Sequence, residues 1–327
     1  MLCLVAVALS FVGLATLLVK FAKADGDFTV TSRGPPKREE VEGKVVWITG
    51  ASRGIGEILA NQFAGLGAKV ILSARNASEL ERVKSEIISN YPASSIEVLP
   101  LDLASGEESI KEAVKRAESL FSNAGVDFMV HNAAFERPKR KALDETEEGL
   151  RATMNINVLG TITLTSLLAP YMLERGRGHF VVMSSAAGKC PAPGQAIYSA
   201  SKHALNGYFH SLRSELYDKG IKVTVVCPGP IETSKSSNVS SSAEGGLKEK
   251  RVSSERCAEL TIIAATHGLR EAWISYQPVL FVMYLVQYMP TLGYWLMDRI
   301  GAKRLDAAAN KKSAYSWNLL FGQKKSI

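Results

Sequence analysis

The sequence of 327 residues holds four cysteines and no Cys-x-x-Cys pair. So few thiols exclude a disulfide scaffold and leave no spacing for structural zinc, so no metal site is expected. There is no internal repeat. Low complexity is confined to Ser234–Gly246 (SKSSNVSSSAEGG), which reads as a mobile loop by composition. Charge of one sign is scarce along the body. The net charge is +7, and residues 298–327 carry seven Lys/Arg against two Asp, a net +5. A nucleic-acid stripe along the fold is therefore disfavoured, and a basic tail near an anionic membrane surface fits better. Apolar residues make up 46% and charged residues 22%, which excludes a disordered chain and supplies a large core. The length allows about two domains, although α/β domains of about 250 residues are common.

The N-terminus has no Lys or Arg before its apolar run. Residues 2–19 are uncharged for eighteen positions, about enough to span a bilayer as a helix. Ala22-Lys23-Ala24 resembles a signal-peptide cleavage site, so a cleaved leader is the rival reading. The absence of charge before the run, with Lys20, Lys23, Arg33, Lys37 and Arg38 after it, favours an uncleaved anchor. The chain after it then faces the cytosol. A second uncharged stretch runs from Ala272 to Met297, punctuated by Pro278 and Pro290. The distance between these prolines is too short to span. It reads as a helix lying in the membrane interface or against a partner, or else as a buried helix of the core or of a dimer contact.

Between the ends, apolar runs recur at Lys44–Ile48, Val70–Leu72, Ile96–Leu99, Phe128–Val130, Phe180–Met183 and Val223–Val226. Helical patterns such as Ser78–Ile88 and Ile110–Leu120 separate them. Strands alternating with helices predict a parallel sheet covered on both faces. The first strand runs into Thr49-Gly50-Ala51-Ser52-Arg53-Gly54-Ile55-Gly56. Gly50 permits a tight turn, Gly54 lets backbone approach a pyrophosphate, and Gly56 lets the next helix pack close, its N-terminal amides facing the anion. An NAD site needs a carboxylate at the end of the second strand. That strand ends Leu72-Ser73-Ala74-Arg75, without an acid. Arg75 and Arg53 suit the 2′-phosphate of NADP(H) instead.

Tyr198-Ser199-Ala200-Ser201-Lys202 puts Tyr and Lys four apart, on one helix face. A nearby ammonium favours the phenolate and brings a tyrosine toward acid–base work at neutral pH. Thirteen residues earlier, Ser185 follows a strand, where its hydroxyl can bond a substrate carbonyl.

With TGASRGIG, Asn157 in MNINVLG, Ser185, Tyr198, Lys202 and Cys227-Pro228-Gly229-Pro230-Ile231-Glu232-Thr233 in one chain, the sequence resembles the short-chain dehydrogenase/reductases over about Glu42–Ile274. More narrowly it resembles the membrane-anchored dehydrogenase/reductase member 7 type, near the 11β-hydroxysteroid dehydrogenase branch. The phrases Lys23-Ala24-Asp25-Gly26-Asp27, Trp273-Ile274-Ser275-Tyr276-Gln277-Pro278 and Gln287-Tyr288-Met289-Pro290-Thr291 carry that likeness. The resemblance implies a Rossmann-type doubly wound α/β sheet of about seven strands. It implies that Tyr198 exchanges the proton with the substrate oxygen. Lys202 would lower the tyrosine's pKa and hold the nicotinamide ribose, Ser185 would orient the carbonyl, and Asn157 would support a water connected to Lys202. Cofactor contacts would come from Gly50, Ser52, Arg53, Gly54, Ile55, Gly56, Arg75, Asp102, Leu103, Asn132, Ala133, Tyr198, Lys202, Pro228, Gly229, Ile231 and Thr233, with Asp102 beside the adenine. One departure stands out. The usual Asn-Asn-Ala-Gly reads His131-Asn132-Ala133-Ala134. Alanine is costly there if the backbone needs a positive φ, and His131 is expected to be structural rather than catalytic.

The expected organisation is an anchor (1–20), a linker (21–41), the NADP-binding domain (42–276), an apolar extension that covers substrate or meets membrane (277–297) and a basic tail (298–327). The expected function is NADP(H)-dependent oxidoreduction of an apolar alcohol or carbonyl: steroid, retinoid or other lipid. A microsomal reductase of long-chain keto-lipids and a cofactor-binding scaffold without turnover are the alternatives. The membrane, with an endoplasmic-reticulum location and a cytosolic catalytic domain, and a second copy of the chain as a homodimer are the further partners weighed. Asn76-Ala77-Ser78 and Asn238-Val239-Ser240 have the form of glycosylation acceptors, which a cytosolic site would leave unmodified.

Overall fold

The computed structural model describes residues 2–232 and 250–309. Thr233, the low-complexity loop, Asn238 and residues 310–327 lie outside the described residues.

Strand β1 (Val45–Thr49) is buried at every position because both its faces are covered. Val45 and Trp47 enter one apolar core and Val46 and Ile48 the other, the period-two alternation of a strand with two buried faces. It pairs in parallel with β2 (Lys69–Ser73) on one side and β4 (Phe128–His131) on the other. Strands β3 (Ile96–Val98), β5 (Gly178–Met183), β6 (Ile221–Pro228) and β9 (Glu271–Ile274) complete a parallel seven-stranded sheet of order β3-β2-β1-β4-β5-β6-β9, and β7 (Ile231–Glu232) pairs with β8 (Val252–Ser253) apart from it. Helices α3 (Gly54–Gly65), α4 (Ala77–Asn90) and α9 (Ser254–Thr266) cover one face. Helices α5 (Glu107–Asn123), α7 (Thr161–Glu174) and α8 (Ala196–Leu216) cover the other. This is the doubly wound α/β fold the sequence predicts. The strand order reverses between β1 and β4, so ligands belong in the crevice beyond the carboxyl ends of those strands.

The uncharged stretch from Ala272 is three elements rather than one. Its first residues belong to β9, the seventh strand. Helix α10 (Val279–Tyr288) follows, and helix α11 (Pro290–Ala309) starts on a proline, whose missing N–H has no partner to lose at a helix start. The two helices cross tightly: a Cβ on Gly293 would lie 2.7 Å from Val286 Cα. Leu280, Met283, Val286, Met297 and Ile300 are buried in the α5–α8 core. The outer side exposes Tyr288, Met289, Leu292, Tyr294 and Trp295.

Helix α1 (Leu2–Lys23) has 22 residues, about 33 Å at 1.5 Å per residue, enough for a bilayer core. The residues after it are docked rather than free. Asp27 N donates to Trp273 O (2.8 Å), Trp273 N donates to Asp27 Oδ2 (2.5 Å) and Arg256 pairs with Asp25 (2.8 Å). Val30, on the short helix α2 (Phe28–Thr31), and Val41 are fully buried. The segment thereby covers the end of β9, an edge strand that would otherwise offer open backbone groups. The helical run 147–174 is also long and apolar enough to cross a membrane, but half of its apolar window is buried in the protein, as suits a core helix.

Candidate active site

The turn after β1 is built around Asn132. Its Nδ2 donates to Thr49 O (3.0 Å) and Gly50 O (3.2 Å), while Thr49 Oγ1 accepts from the amides of Asn132 (3.1 Å) and Ala133 (3.2 Å). Gly50 has φ +67°, and a Cβ on it would lie 2.9 Å from Ala133 Cα. A Cβ on Gly56 would overlap Gly50 O and Asn132 Nδ2. Gly54 differs: it has φ +59° with open space where a Cβ would stand. It begins α3, and Arg53 at the N-cap makes no side-chain capping bond. Uncapped first-turn amides beside an open glycine fit the phosphates of a dinucleotide. Arg53 and Arg75, at the ends of β1 and β2, are exposed and make no hydrogen bond or ion pair among the described residues. Asp102 is exposed, and its Oδ1 accepts from Ala104 N (3.0 Å). Leu103 is buried, and its carbonyl leaves no room for a Cβ on Gly160.

Across the switch point, Ser185 follows β5 and Tyr198 and Lys202 share a face of α8. Lys202 is 2% exposed, and its Nζ donates to Met183 O (2.8 Å) and lies 5.5 Å from the centre of the Tyr198 ring. Burial lowers the Lys202 pKa to about 8. Ser185 Oγ accepts from Ala187 N (3.1 Å) and points its own proton toward Pro228 O (3.5 Å), a weak contact that a substrate oxygen can replace. Asn157 sits in a π-helical turn (Asn155–Gly160) between α6 (Glu147–Met154) and α7. It bridges to Phe135: Oδ1 accepts from Phe135 N (2.7 Å), and Nδ2 donates to Phe135 O (3.0 Å) and Ser201 Oγ (3.1 Å). Both its amide hydrogens are thus committed to protein, and its carbonyl oxygen keeps a lone pair.

Ser185 and Tyr198 line a cavity of about 420 Å³. Ile55, Pro228, Gly229 and Ile231 form the side toward the glycine turn. Val279 and Val282 of α10 and Met297 and Ile300 of α11 form an apolar wall, so the C-terminal extension covers the site. Four charged residues also line it: Glu136, Lys139, Arg251 and Arg304.

Residues 44–244 match the family described as short chain dehydrogenase. The chain belongs to the short-chain dehydrogenase/reductase family. Dehydrogenase/reductase SDR family member 7 is 38% identical over 301 residues in Homo sapiens, covering 88% of each chain, and 38% identical over 306 residues in Mus musculus, covering 90% of this chain and 89% of that one. The mouse member 7B is 33% identical over 83% of this chain and 84% of its own. A metagenomic short-chain oxidoreductase solved in complex with NADP aligns with a TM-score of 0.58 at 27% identity, covering 69% of this chain and 92% of its own. The L-sorbose reductase of Gluconobacter frateurii, complexed with NADPH and L-sorbose, shares the fold at a TM-score of 0.66 and 23% identity, over 73% and 97% of the two chains.

In this short-chain dehydrogenase/reductase the altered His131-Asn132-Ala133-Ala134 motif carries no positive-φ strain at the alanine. Ala134 is exposed and is not among the residues with positive φ, so its methyl is not strained. His131 is buried, stacks on Phe180 and bonds Thr165 Oγ1 through Nε2 (2.9 Å). Burial lowers its pKa to about 3, so it stays neutral. Sequence reasoning missed Arg82, which binds Glu57, Glu79 and Glu86 and donates to Ser52 O (3.2 Å), bracing the turn. The spacing Glu79, Arg82, Glu86 was its signal. It also missed Glu271. Burial works to raise that carboxyl, but bonds from His210, Lys189 and Trp273 bring it down to about 2, tying β9 to the helices beneath the cavity. Of these partners, Lys189 and His210 are distant in sequence and leave no local pattern. Thr233 lies outside the described residues.

Proposed function

We propose that this chain is an NADP(H)-dependent oxidoreductase that interconverts a carbonyl and an alcohol on an apolar, lipid-like compound such as a steroid or retinoid. The observation that carries this reading is the shared wall. Ser185 and Tyr198 face one largely apolar cavity that adjoins the glycine turn, with Lys202 buried behind them. The metagenomic short-chain oxidoreductase solved in complex with NADP adds support.

Gly54 and the first-turn amides of α3 would hold the pyrophosphate, and Arg53 and Arg75 the 2′-phosphate. When bound, the nicotinamide supplies or accepts the hydride. Ser185 donates a hydrogen bond to the substrate oxygen and orients it. Tyr198 donates its proton to that oxygen in reduction and takes it back in oxidation. Lys202, held by Met183 O, keeps a positive charge beside the phenol. Asn157 ties the 135 segment to Ser201 and so holds α8 in place. The apolar wall from α10 and α11 excludes water from the reacting carbon.

We read α1 as a membrane anchor, with the catalytic domain on the cytosolic face of the endoplasmic reticulum. The exposed aromatics of α10 and α11 suit a membrane interface, and Phe21 at the end of α1 packs on Tyr284 beside them. NADPH oxidation by the full chain with a panel of apolar ketones tests the function. Turnover with at least one supports it. Tight NADPH binding without turnover on any would favour a scaffold.

A further inference from the structure

Arg53 and Arg75, the residues suited to the 2′-phosphate, each stand shortly ahead of a carboxylate. Glu57 lies in the first turn of α3, four residues after Arg53, and Glu79 in the first turn of α4, four residues after Arg75. The helix dipole favours an acid at such a place, but the acid then occupies the same positive field that attracts a phosphate. It is also close enough along the chain to pair with the arginine before it, and an arginine so paired is a poorer partner for an anion. Neither pairing is present. Arg53 and Arg75 are exposed and make no hydrogen bond or ion pair among the described residues. Both glutamates bind Arg82 instead.

Arg82 stands in the second turn of α4. Its Nε donates to Glu79 Oε2 (3.0 Å), its Nη1 to Glu57 Oε1 (2.9 Å) and Glu86 Oε2 (3.1 Å), and its Nη2 to Glu57 Oε2 (3.1 Å) and Ser52 O (3.2 Å). A guanidinium has five N–H donors, and here every one is engaged, so Arg82 keeps none for a phosphate. The pair with Glu57 is bidentate, which fixes the direction of that carboxylate as well as its partner. Single exposed ion pairs contribute little to stability; what this network does is decide where three carboxylates stand. We propose that Arg82 is a positioning residue for cofactor selectivity: by engaging Glu57 and Glu79 it keeps Arg53 and Arg75 open to the 2′-phosphate, and so sets the preference for NADPH over NADH. This rests on Arg53 and Arg75 being the 2′-phosphate ligands of the proposed oxidoreductase. Without Arg82, Glu57 and Glu79 lose their shared cation and either pair with Arg53 and Arg75 or repel the phosphate directly. Both effects act against NADPH alone, because NADH carries a hydroxyl at that ribose carbon. Loss of the bond to Ser52 O acts differently. It loosens the turn that receives the pyrophosphate, which the two cofactors share.

The test needs no turnover. The full chain in nonionic detergent is titrated with NADPH and with NADH, and the Kd of each is read from nicotinamide fluorescence. Arg82→Gln should raise the NADPH Kd at least tenfold and the NADH Kd no more than threefold. The lost preference should be smaller at 300 mM than at 20 mM salt, because the charges involved are exposed. Adding Glu57→Gln and Glu79→Gln to Arg82→Gln should restore most of the wild-type ratio, which removal of further bonds cannot do if Arg82 only braces the turn. The pair Glu57→Gln and Glu79→Gln with Arg82 intact should raise the preference for NADPH, since two of the carboxylates that offset Arg82 are gone. This variant decides the matter if Arg82→Gln does not fold: an NADPH preference unchanged or lowered by it would overturn the proposal. So would equal weakening of both cofactors by Arg82→Gln, or a triple variant no better than Arg82→Gln alone. Arg75→Asp separates this failure from that of the underlying reading. If it abolishes the wild-type preference while Arg82→Gln leaves the preference unmoved, the role of Arg82 fails alone. If the wild type shows no preference, or keeps it in Arg75→Asp, the assignment of the 2′-phosphate fails and the role of Arg82 with it.

Discussion

Replacing Lys202 with methionine should make the protein less dependent on pH, and the size of the effect follows from burial. The side chain is 2% exposed, and burial brings its pKa from 10.5 to about 8. At 1.36 kcal/mol per pH unit, keeping that ammonium in the fold costs roughly 3 kcal/mol at pH 7. Because the folded pKa is the lower one, the unfolded chain binds more protons between pH 8 and 10.5. Wild-type stability therefore rises with pH through that window, and the cost is present in full below about pH 8. From pH 7 to pH 10 the recovered part is roughly 2.5 kcal/mol, about 5–10 °C at 2–4 °C per kcal/mol. Lys202→Met abolishes this term and leaves Met183 O without its 2.8 Å donor, a loss of about 1–3 kcal/mol. At pH 7 the two effects nearly offset, so the variant should melt within a few degrees of wild type. At pH 10 the wild type should lie several degrees above it. Thermal melts of both proteins without cofactor give the answer, and the difference between the two curves cancels alkaline groups that do not interact with Lys202, such as Cys190 and Cys257. A Tm difference constant within 1 °C from pH 7 to pH 10 would mean that Lys202 does not titrate in that range.

Gly56→Ala should cost stability and weaken NADPH binding at least tenfold, because the added Cβ overlaps Gly50 O and Asn132 Nδ2; fluorescence titration with NADPH measures it. Arg75→Asp should move the NADPH/NADH preference toward NADH by tenfold or more, through loss of a cation and gain of a repelling carboxylate, read as a ratio of kcat/KM values. Deleting residues 1–20 should weaken membrane attachment without abolishing it, since Tyr288, Met289, Leu292, Tyr294 and Trp295 stay exposed; sedimentation with vesicles distinguishes this from full release.

The glycine turn was legible because each glycine has its own steric duty, and the spacing of those duties is local: Gly50 to turn, Gly54 to stay open, Gly56 to pack. Tyr198, Lys202 and Ser185 were legible for the same reason, one helix turn and one strand end. The strands stood out as unbroken apolar runs, as befits strands buried on both faces. The seventh did not. Glu271–Ile274 merges into an uncharged stretch, and its boundary is set by pairing with β6, a contact between distant residues. Residues 21–41 were expected to be a linker, but Asp27 gains its structure from Trp273, which stands 246 residues away. The substitution at Ala134 was read from motif alone, and only the backbone angle shows that the alanine is unstrained. Arg304 was counted with the basic tail, and the turn of α11 onto the Cys190 loop brings it into the cavity.

In the proposed mechanism Tyr198 exchanges the substrate proton in this cavity. Tyr198→Phe keeps the ring and removes only the hydroxyl. The decisive measurement is steady-state NADPH oxidation on the best ketone of the panel, beside NADPH titration of the same preparation. The kcat should fall by at least a thousandfold, with the NADPH Kd within threefold of wild type. Turnover within tenfold of wild type would contradict it and remove Tyr198 from the mechanism.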